Sequence, residues 1–288
     1  MKNITHFLNQ IIQGDCLEVM QELPEKSIDL ILCDLPYGIT ANPWDRVIDM
    51  NKLWLQYERI IKDNGVIALS GQGIFTAHLI LSRPELFRYK MVWIKSKAPN
   101  FLSANKQPLK KHEDICIFYK KQPVYHPQTS PGKPYDKGIR RINTCGNYGN
   151  FNSSHGKSDG MRYPYDLLFF EPDHDDWIYF KSAESDGHSL HPTQKPVELG
   201  RYLVRTFTDP GAVVLDNACG CGSYPLAALK ENRSFIGIEK NQGAFKHKDI
   251  PIDFIRIAKQ RIDEEIAQQN TTENRNIKTK IDHENDTE

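Results

Sequence analysis

The 288-residue sequence has no apolar run approaching the roughly 20 residues that cross a bilayer, and its first ten residues lack the basic-then-apolar layout of a secretory leader. A cytoplasmic protein is expected. No C-x-x-C pair and no zinc-like spacing occur among Cys16, Cys33, Cys116, Cys145, Cys219 and Cys221, so reduced thiols are expected rather than a disulfide scaffold. His174, Asp175 and Asp176 have no partner cluster at ligand spacing, and no metal site is expected. Formal net charge is also lacking, at zero, which argues against a uniformly basic coat for nucleic acid.

What charge there is lies unevenly. Residues 86–162 hold fifteen basic side chains against four acidic ones, an excess that the rest of the chain must offset. The middle of the chain suits a polyanion, although a solvated basic face with no partner fits the same count. Within it, the adjacent pair Arg140 and Arg141 is the first choice for phosphate or base contacts. Hydrophobic residues make up 39% of the chain, enough for one large core or a core with a smaller module.

Taken in order, Ile11–Gln13 reads as a strand, and Asp15 as the N-cap of a helix that Pro24 closes. The apolar run Ile28–Leu32 is a buried strand. Leu53, Trp54, Tyr57, Ile60 and Ile61 follow helical spacing, with Asn64–Gly65 as the expected C-cap. Val66–Leu69 is another strand. Tyr89–Ile94 and Ile115–Tyr119 follow, separated by the basic loop Lys95–Lys111 with Asn100 and Phe101. Residues 121–190 are rich in Pro, Gly, Ser, Asn, Tyr and His, with interleaved aromatics that favour an ordered recognition region over a linker. Asp166–Phe170 and Trp177–Phe180 are candidate strands there. A helix with Leu199, Leu203, Val204 and Phe207 on one face follows, and a second from Ile250 to about Ile266. Residues 268–288 read as a disordered polar tail.

Two stretches carry chemistry. Asp34-Leu35-Pro36-Tyr37 lies just past a strand, where open α/β sheets bind ligands. Its carboxylate can accept from an exocyclic amine, its aromatic ring offers a stacking face, and Pro36 stiffens the turn. An ordinary strand-to-turn junction explains the same residues. The second stretch is the strand Ala212–Asp216, the loop Asn217-Ala218-Cys219-Gly220-Cys221-Gly222-Ser223, a helix, and a strand ending in Glu239. Such a unit lets backbone approach a nucleoside cofactor while the terminal acid takes ribose hydroxyls; plain helix–sheet packing is the competing explanation.

Together these stretches resemble the β-class amino DNA methyltransferases, which move a methyl group from S-adenosylmethionine to N6 of adenine or N4 of cytosine. The resemblance covers about residues 10–120 and 160–265, in a circularly permuted order: catalytic loop, recognition region, His191-Pro192-Thr193-Gln194-Lys195-Pro196, then cofactor loop. It implies an α/β fold with a Rossmann-like methyltransferase sheet, mostly parallel with one antiparallel strand, and an inserted irregular target-recognition region. The implied division is 1–120 for the catalytic half, 121–190 for recognition, 191–267 for the cofactor-binding half and 268–288 for the tail.

By position, Asp34 and the carbonyl of Leu35 would accept the amino hydrogens, and Tyr37 would stack on a flipped base. Asp216, Gly220 and Gly222 match the cofactor motif and Glu239 the ribose-binding acid. Thr193 and Lys195 would border the methionine end of the cofactor, and Asp15 its adenine. Leu35, Ala218 and Tyr224-Pro225 depart from the family's usual residues at those positions. Aspartate at the first catalytic position goes mostly with adenine, which favours N6 over N4-cytosine. Duplex DNA is the implied partner. Methylation of a protein glutamine or an RNA base, and a non-catalytic DNA-binding module, are the other possibilities.

Overall fold

The computed structural model describes residues 3–39, 45–140, 154–168, 194–241, 246–247 and 250–285. Its elements are β1 (Gln10–Gln13), α1 (Cys16–Glu22), β2 (Ile28–Cys33), α2 (Met50–Ile60), β3 (Ile61–Gly71), α3 (Ile74–Ser82), β4 (Phe87–Ile94) and β5 (His112–Phe118). The short strands β6 (Ser130–Pro131), β7 (Tyr135–Arg140), β8 (Ser154–Ser158), β9 (Met161–Arg162) and β10 (Leu167–Leu168) come next. Then follow α4 (Val197–Phe207), β11 (Val213–Asp216), α5 (Ser223–Lys230), β12 (Ser234–Glu239) and α6 (Phe254–Asn285).

Eight strands form one sheet in the order β1-β12-β11-β2-β3-β5-β4-β10. Every neighbouring pair is parallel except those made by β5, which runs against both β3 and β4. The expected mostly parallel sheet with one reversed strand is therefore what is found. Its strands belong to both halves of the sequence, since β11 pairs directly with β2, Leu215 opposite Ile31.

Alternation along the central strands builds two cores. Leu30 and Leu32, Val66 and Ala68, Ile115 and Ile117 point to the face covered by α4, α5 and α6. Ile31 and Cys33, Ile67 and Leu69, Cys116 and Phe118 point to the face covered by α1, α2 and α3. Strands buried on both faces have no polar side to show, which is why they read as near-continuous apolar runs. Trp54, Tyr57 and Ile60 seat α2 on the sheet, and the Trp54 indole donates to Ser82 Oγ at 2.7 Å, so its polar edge is satisfied inside the core.

Three expectations need correction. Asn64–Gly65 is not a helix C-cap: α2 ends at Ile60 and the chain passes at once into β3. Gly65 is small for another reason, because a Cβ there would lie 2.9 Å from the Asp29 carbonyl oxygen on the paired strand. The helix expected to stop near Ile266 continues as α6 to Asn285, where a disordered tail was expected. No proline or glycine, the two strong helix breakers, occurs after Pro251. The inserted region contributes two small antiparallel pairs, β6 with β9 and β7 with β8, and one edge strand, β10. The candidate strand Trp177–Phe180, His174–Asp176 and Cys145 lie outside the described residues. The other five cysteines are free and buried.

Candidate active site

Because β2 and β11 are neighbours and parallel, the loops that leave their C-terminal ends emerge side by side. That single pairing brings the Asp34 and Gly220 loops together. Both line one cleft of about 640 Å³, with Asp15, Lys195, Asp216 and Glu239 also on its wall.

On the β2 side, Asp34 is partly buried and both its oxygens are engaged. Tyr37 donates its hydroxyl to Oδ1 at 2.8 Å, and Lys195 Nζ lies 2.5 Å from Oδ2. The Tyr37 ring stacks on Phe75 with centroids 4.7 Å apart, and the Lys195 ammonium stands 5.8 Å from the same ring's centroid. The turn is held by Asp45, whose two carboxylate oxygens accept from the backbone N–H groups of Gly38 (2.8 Å) and Ile39 (3.0 Å). Burial pushes the Asp34 carboxyl above the usual range against the pull of Lys195. Burial, with the Asp34 charge behind it, also keeps the Tyr37 phenol protonated far above its ordinary value.

Lys195 was expected beside a cofactor; the structure buries it between two acids. Its ammonium is 3.1 Å from Glu113 Oε2, and Lys95 pairs with the other oxygen of the same carboxylate. Burial works against the charge on Lys195, but Asp34 and Glu113 more than offset it, and the ammonium is held well above an ordinary lysine. Burial likewise opposes ionisation of Glu113, and its two lysines reverse that effect and lower its pKa. Glu113 and Lys95 did not stand out in the sequence. The signal was the reversal of β5, which carries the start of that strand, and Glu113 with it, to the edge where the parallel strands end.

On the β11 side, Asp216 Oδ1 accepts from Ala218 N–H at 3.2 Å and organises the turn. Gly220 and Gly222 both have positive φ, at 50° and 78°. Gly222 starts α5, and a Cβ there would meet Ala258 Cβ at 2.9 Å, so this glycine serves the seating of α6 on the loop and does not line the cleft. Gly220 does line it. Its N–H donates to Glu239 Oε2 at 2.8 Å, while Asn241 N–H binds Oε1 at 2.8 Å. Asp15 caps α1 through Leu17 N–H and pairs with Lys240 at 2.8 Å, and both residues line the cleft. Tyr224 lines the cleft from a buried position, its hydroxyl 3.4 Å from Ser70 Oγ and its ring packed where a Cβ on Gly200 would strike it. Pro36 and Leu35 line the cleft. Thr193 and Arg141 lie outside the described residues, and Arg140 is the last residue of β7.

A family model described as DNA methylase, of the N6/N4 type, matches residues 28–248. The chain belongs to the N6/N4 DNA methylase family. The type II methyltransferase M.BglII of Bacillus subtilis is 27% identical over 258 residues, 81% of this chain. The chain spans 65% of the length of that relative. The M1.HpyAVI–SAM complex superimposes with a TM-score of 0.55 at 20% identity, covering 88% of this chain and 98% of that one. TTHA0409 from Thermus thermophilus, complexed with S-adenosyl-L-methionine, gives 0.53 at 18% identity over 89% and 95%. The PvuII cytosine-N4-specific DNA methyltransferase gives 0.52 at 16% over 88% and 92%.

S-adenosylmethionine is the methyl donor of N6/N4 methylases, and the cleft fits it. Its volume is in the range of small-molecule sites, roughly 300–1,000 Å³. Its wall also carries polar groups. Tyr57 donates its hydroxyl to Asn217 Oδ1 at 2.5 Å, which fixes the Asn217 side chain at the cleft wall. Glu239 keeps further lone pairs for hydroxyl donors.

Asp216 supplies a pH test of this methylase loop. Burial raises its pKa from 3.8 to about 8. The folded protein therefore keeps a proton that the unfolded chain has released, and the group's contribution to stability, full below the unfolded value, is lost as pH rises through the folded one. Asp216→Asn, which keeps an acceptor for Ala218 N–H, is expected to melt above the wild type at pH 8, with the gap closing toward pH 4. Parallel melting curves across that window would contradict the buried, protonated carboxyl.

Proposed function

We propose that the protein transfers a methyl group from S-adenosylmethionine to N6 of an adenine turned out of duplex DNA. The observation that carries this reading is the shared cleft: the Asp34–Tyr37 turn and the Gly220–Glu239 pair face one space because β2 and β11 are adjacent. The adenine preference rests on Asp34 standing first in the catalytic motif, as the family resemblance implies.

Gly220, Asn217, Glu239 and Asp15 would hold the cofactor's nucleoside part. When bound, the cofactor supplies an electrophilic sulfonium methyl. An aryl amine's lone pair is delocalised into its ring, so the protein's task is to reshape that nitrogen more than to deprotonate it beforehand; the proton that the methylated nitrogen sheds would pass to Asp34 Oδ2, already its hydrogen-bond acceptor. Asp34 Oδ2 and the Leu35 carbonyl would each accept one amino hydrogen, drawing the nitrogen toward a tetrahedral shape and aiming its lone pair along the transfer line. Tyr37, fixed from behind by Phe75, offers the stacking face. Base–aromatic stacking is worth about 1–3 kcal/mol. The incoming amine would displace the Lys195 ammonium from Oδ2, leaving it with Glu113. Cys33, next to the catalytic turn, takes no part as a nucleophile: burial pushes it far above its ordinary pKa, which leaves it a protonated, poor nucleophile. Residues 121–190, including Arg140 and Arg141, would read the site and grip phosphate.

Expression in a methylation-deficient host, followed by sequencing with base-modification detection, tests the reading. N6-methyladenine at one short sequence is expected. N4-methylcytosine would overturn the base assignment, and unmodified DNA would overturn the activity. Calorimetric titration with S-adenosylmethionine separates an enzyme from a binding module, since a module without cofactor would give no heat.

A further inference from the structure

We infer that Phe101 and Leu102 form an apolar wedge that enters the base stack of duplex DNA beside the target and fills the space the extruded base leaves; this rests on the proposed activity. Residues 95–111 join β4 to β5 and contain five lysines and no acid. At the tip, Phe101 is 68% exposed and Leu102 85% exposed. Two large apolar side chains held in water on a loop with five lysines, of which Lys95 pairs with Glu113, call for a partner that is negative outside and apolar within. Stacked bases between phosphates have that character.

The tip is built, not loose. Lys95 N–H donates to Lys111 O at 2.7 Å across its base, and Asn100 Oδ1 accepts from Lys110 N–H at 2.7 Å. Ser103 N–H reaches Asn100 O and Ala104 N–H reaches Phe101 O, closing the short 3-10 turn Phe101–Ser103, and Lys106 and Gln107 N–H both reach Ser103 O in the turn that follows. It is also placed correctly. β4 runs parallel to β3, so the loop leaves the same sheet edge as the Asp34 turn, and Lys97, Ala98 and Pro99 line the cleft itself. An apolar residue entering a base step offsets part of the lost stacking and keeps the extruded base from returning.

The test uses the full chain and a duplex carrying the site found by modification sequencing, in two forms: target base paired, or target base opposite an abasic position. The double variant Phe101→Ala/Leu102→Ala is expected to lose about 100-fold in single-turnover rate on the paired duplex and to recover to within about threefold of wild type on the abasic one, where extrusion is already cheap. Phe101→Leu/Leu102→Met, which keeps apolar bulk, should stay within about threefold on both. Equal losses on both duplexes, or no loss on the paired one, overturn the wedge. A wild-type protein that methylates neither duplex overturns the activity and the wedge with it.

Discussion

Asp34→Ala is expected to lower the single-turnover rate of methyl transfer by at least about 1,000-fold, because the variant loses an acceptor that acts most strongly as charge develops on the amine. The rate constant and kcat/KM should fall together, since the interaction belongs to the transition state rather than to ground-state binding. Affinity for S-adenosylmethionine should stay within about threefold, as the nucleoside side of the cleft is built from β11, β12 and the start of α1. The fold should also survive: Lys195 keeps Glu113, and Asp45 still holds the turn through Gly38 and Ile39. Asp34→Asn is the sharper control. It preserves shape and one acceptor oxygen but replaces the other with a donor, which would face the Lys195 ammonium or the amine. Stopped-flow or quench measurement with labelled cofactor gives the rate, and calorimetry the affinity. Turnover at even a tenth of wild type would remove Asp34 from the reaction.

The sequence disclosed this turn because its chemistry is local. An acid, a proline and an aromatic within four residues of a strand end have a fixed mutual geometry whatever surrounds them. The same holds for the glycine loop after Asp216, where positive φ at Gly220 and Gly222 is a demand that only certain residues meet easily. The three-layer fold was legible because Leu30 to Cys33 and Val66 to Leu69 are buried on both faces and flanked by turn residues. What was not legible is what depends on pairing across the sheet. Nothing near Glu113 in the chain announces that β5 runs backwards and delivers its first residues to the reacting edge. Nothing near Lys195 says that its ammonium will meet Asp34, 161 positions away. The Asn64–Gly65 misreading has the same origin. A glycine required by a neighbouring strand's carbonyl is indistinguishable, in sequence, from one required by a helix end.

The Lys195 ion cluster gives the second large effect, on stability. Lys195→Met should destabilise the folded protein by about 3–5 kcal/mol at pH 7, the usual result of removing one partner from a buried ion pair. Two carboxylates, Asp34 and Glu113, would then share a low-dielectric space with only Tyr37 and Lys95 as compensation. The sign of the pH dependence follows. In the wild type, Glu113 has a lowered pKa and contributes stability above the ordinary carboxyl value of 4.5 that is lost as pH falls. Without Lys195, burial and mutual repulsion raise both carboxyls, so the variant should gain relative stability as pH falls from neutral and one of them takes up a proton. The companion variant Lys195→Met/Glu113→Gln removes the repulsion outright and should recover much of the loss, giving a coupling in a double-mutant cycle that neither single change predicts. Chemical denaturation at pH 5 and pH 8 measures the wild type, Lys195→Met, Glu113→Gln and the double variant. The outcome also decides what Lys195 is for. A lysine that mainly grips the cofactor would, when replaced, weaken S-adenosylmethionine binding while leaving the apo protein's stability and pH profile in place. A lysine that holds two acids apart until an amine arrives would show the reverse, and the 2.5 Å and 3.1 Å contacts to Asp34 and Glu113 favour that second pattern.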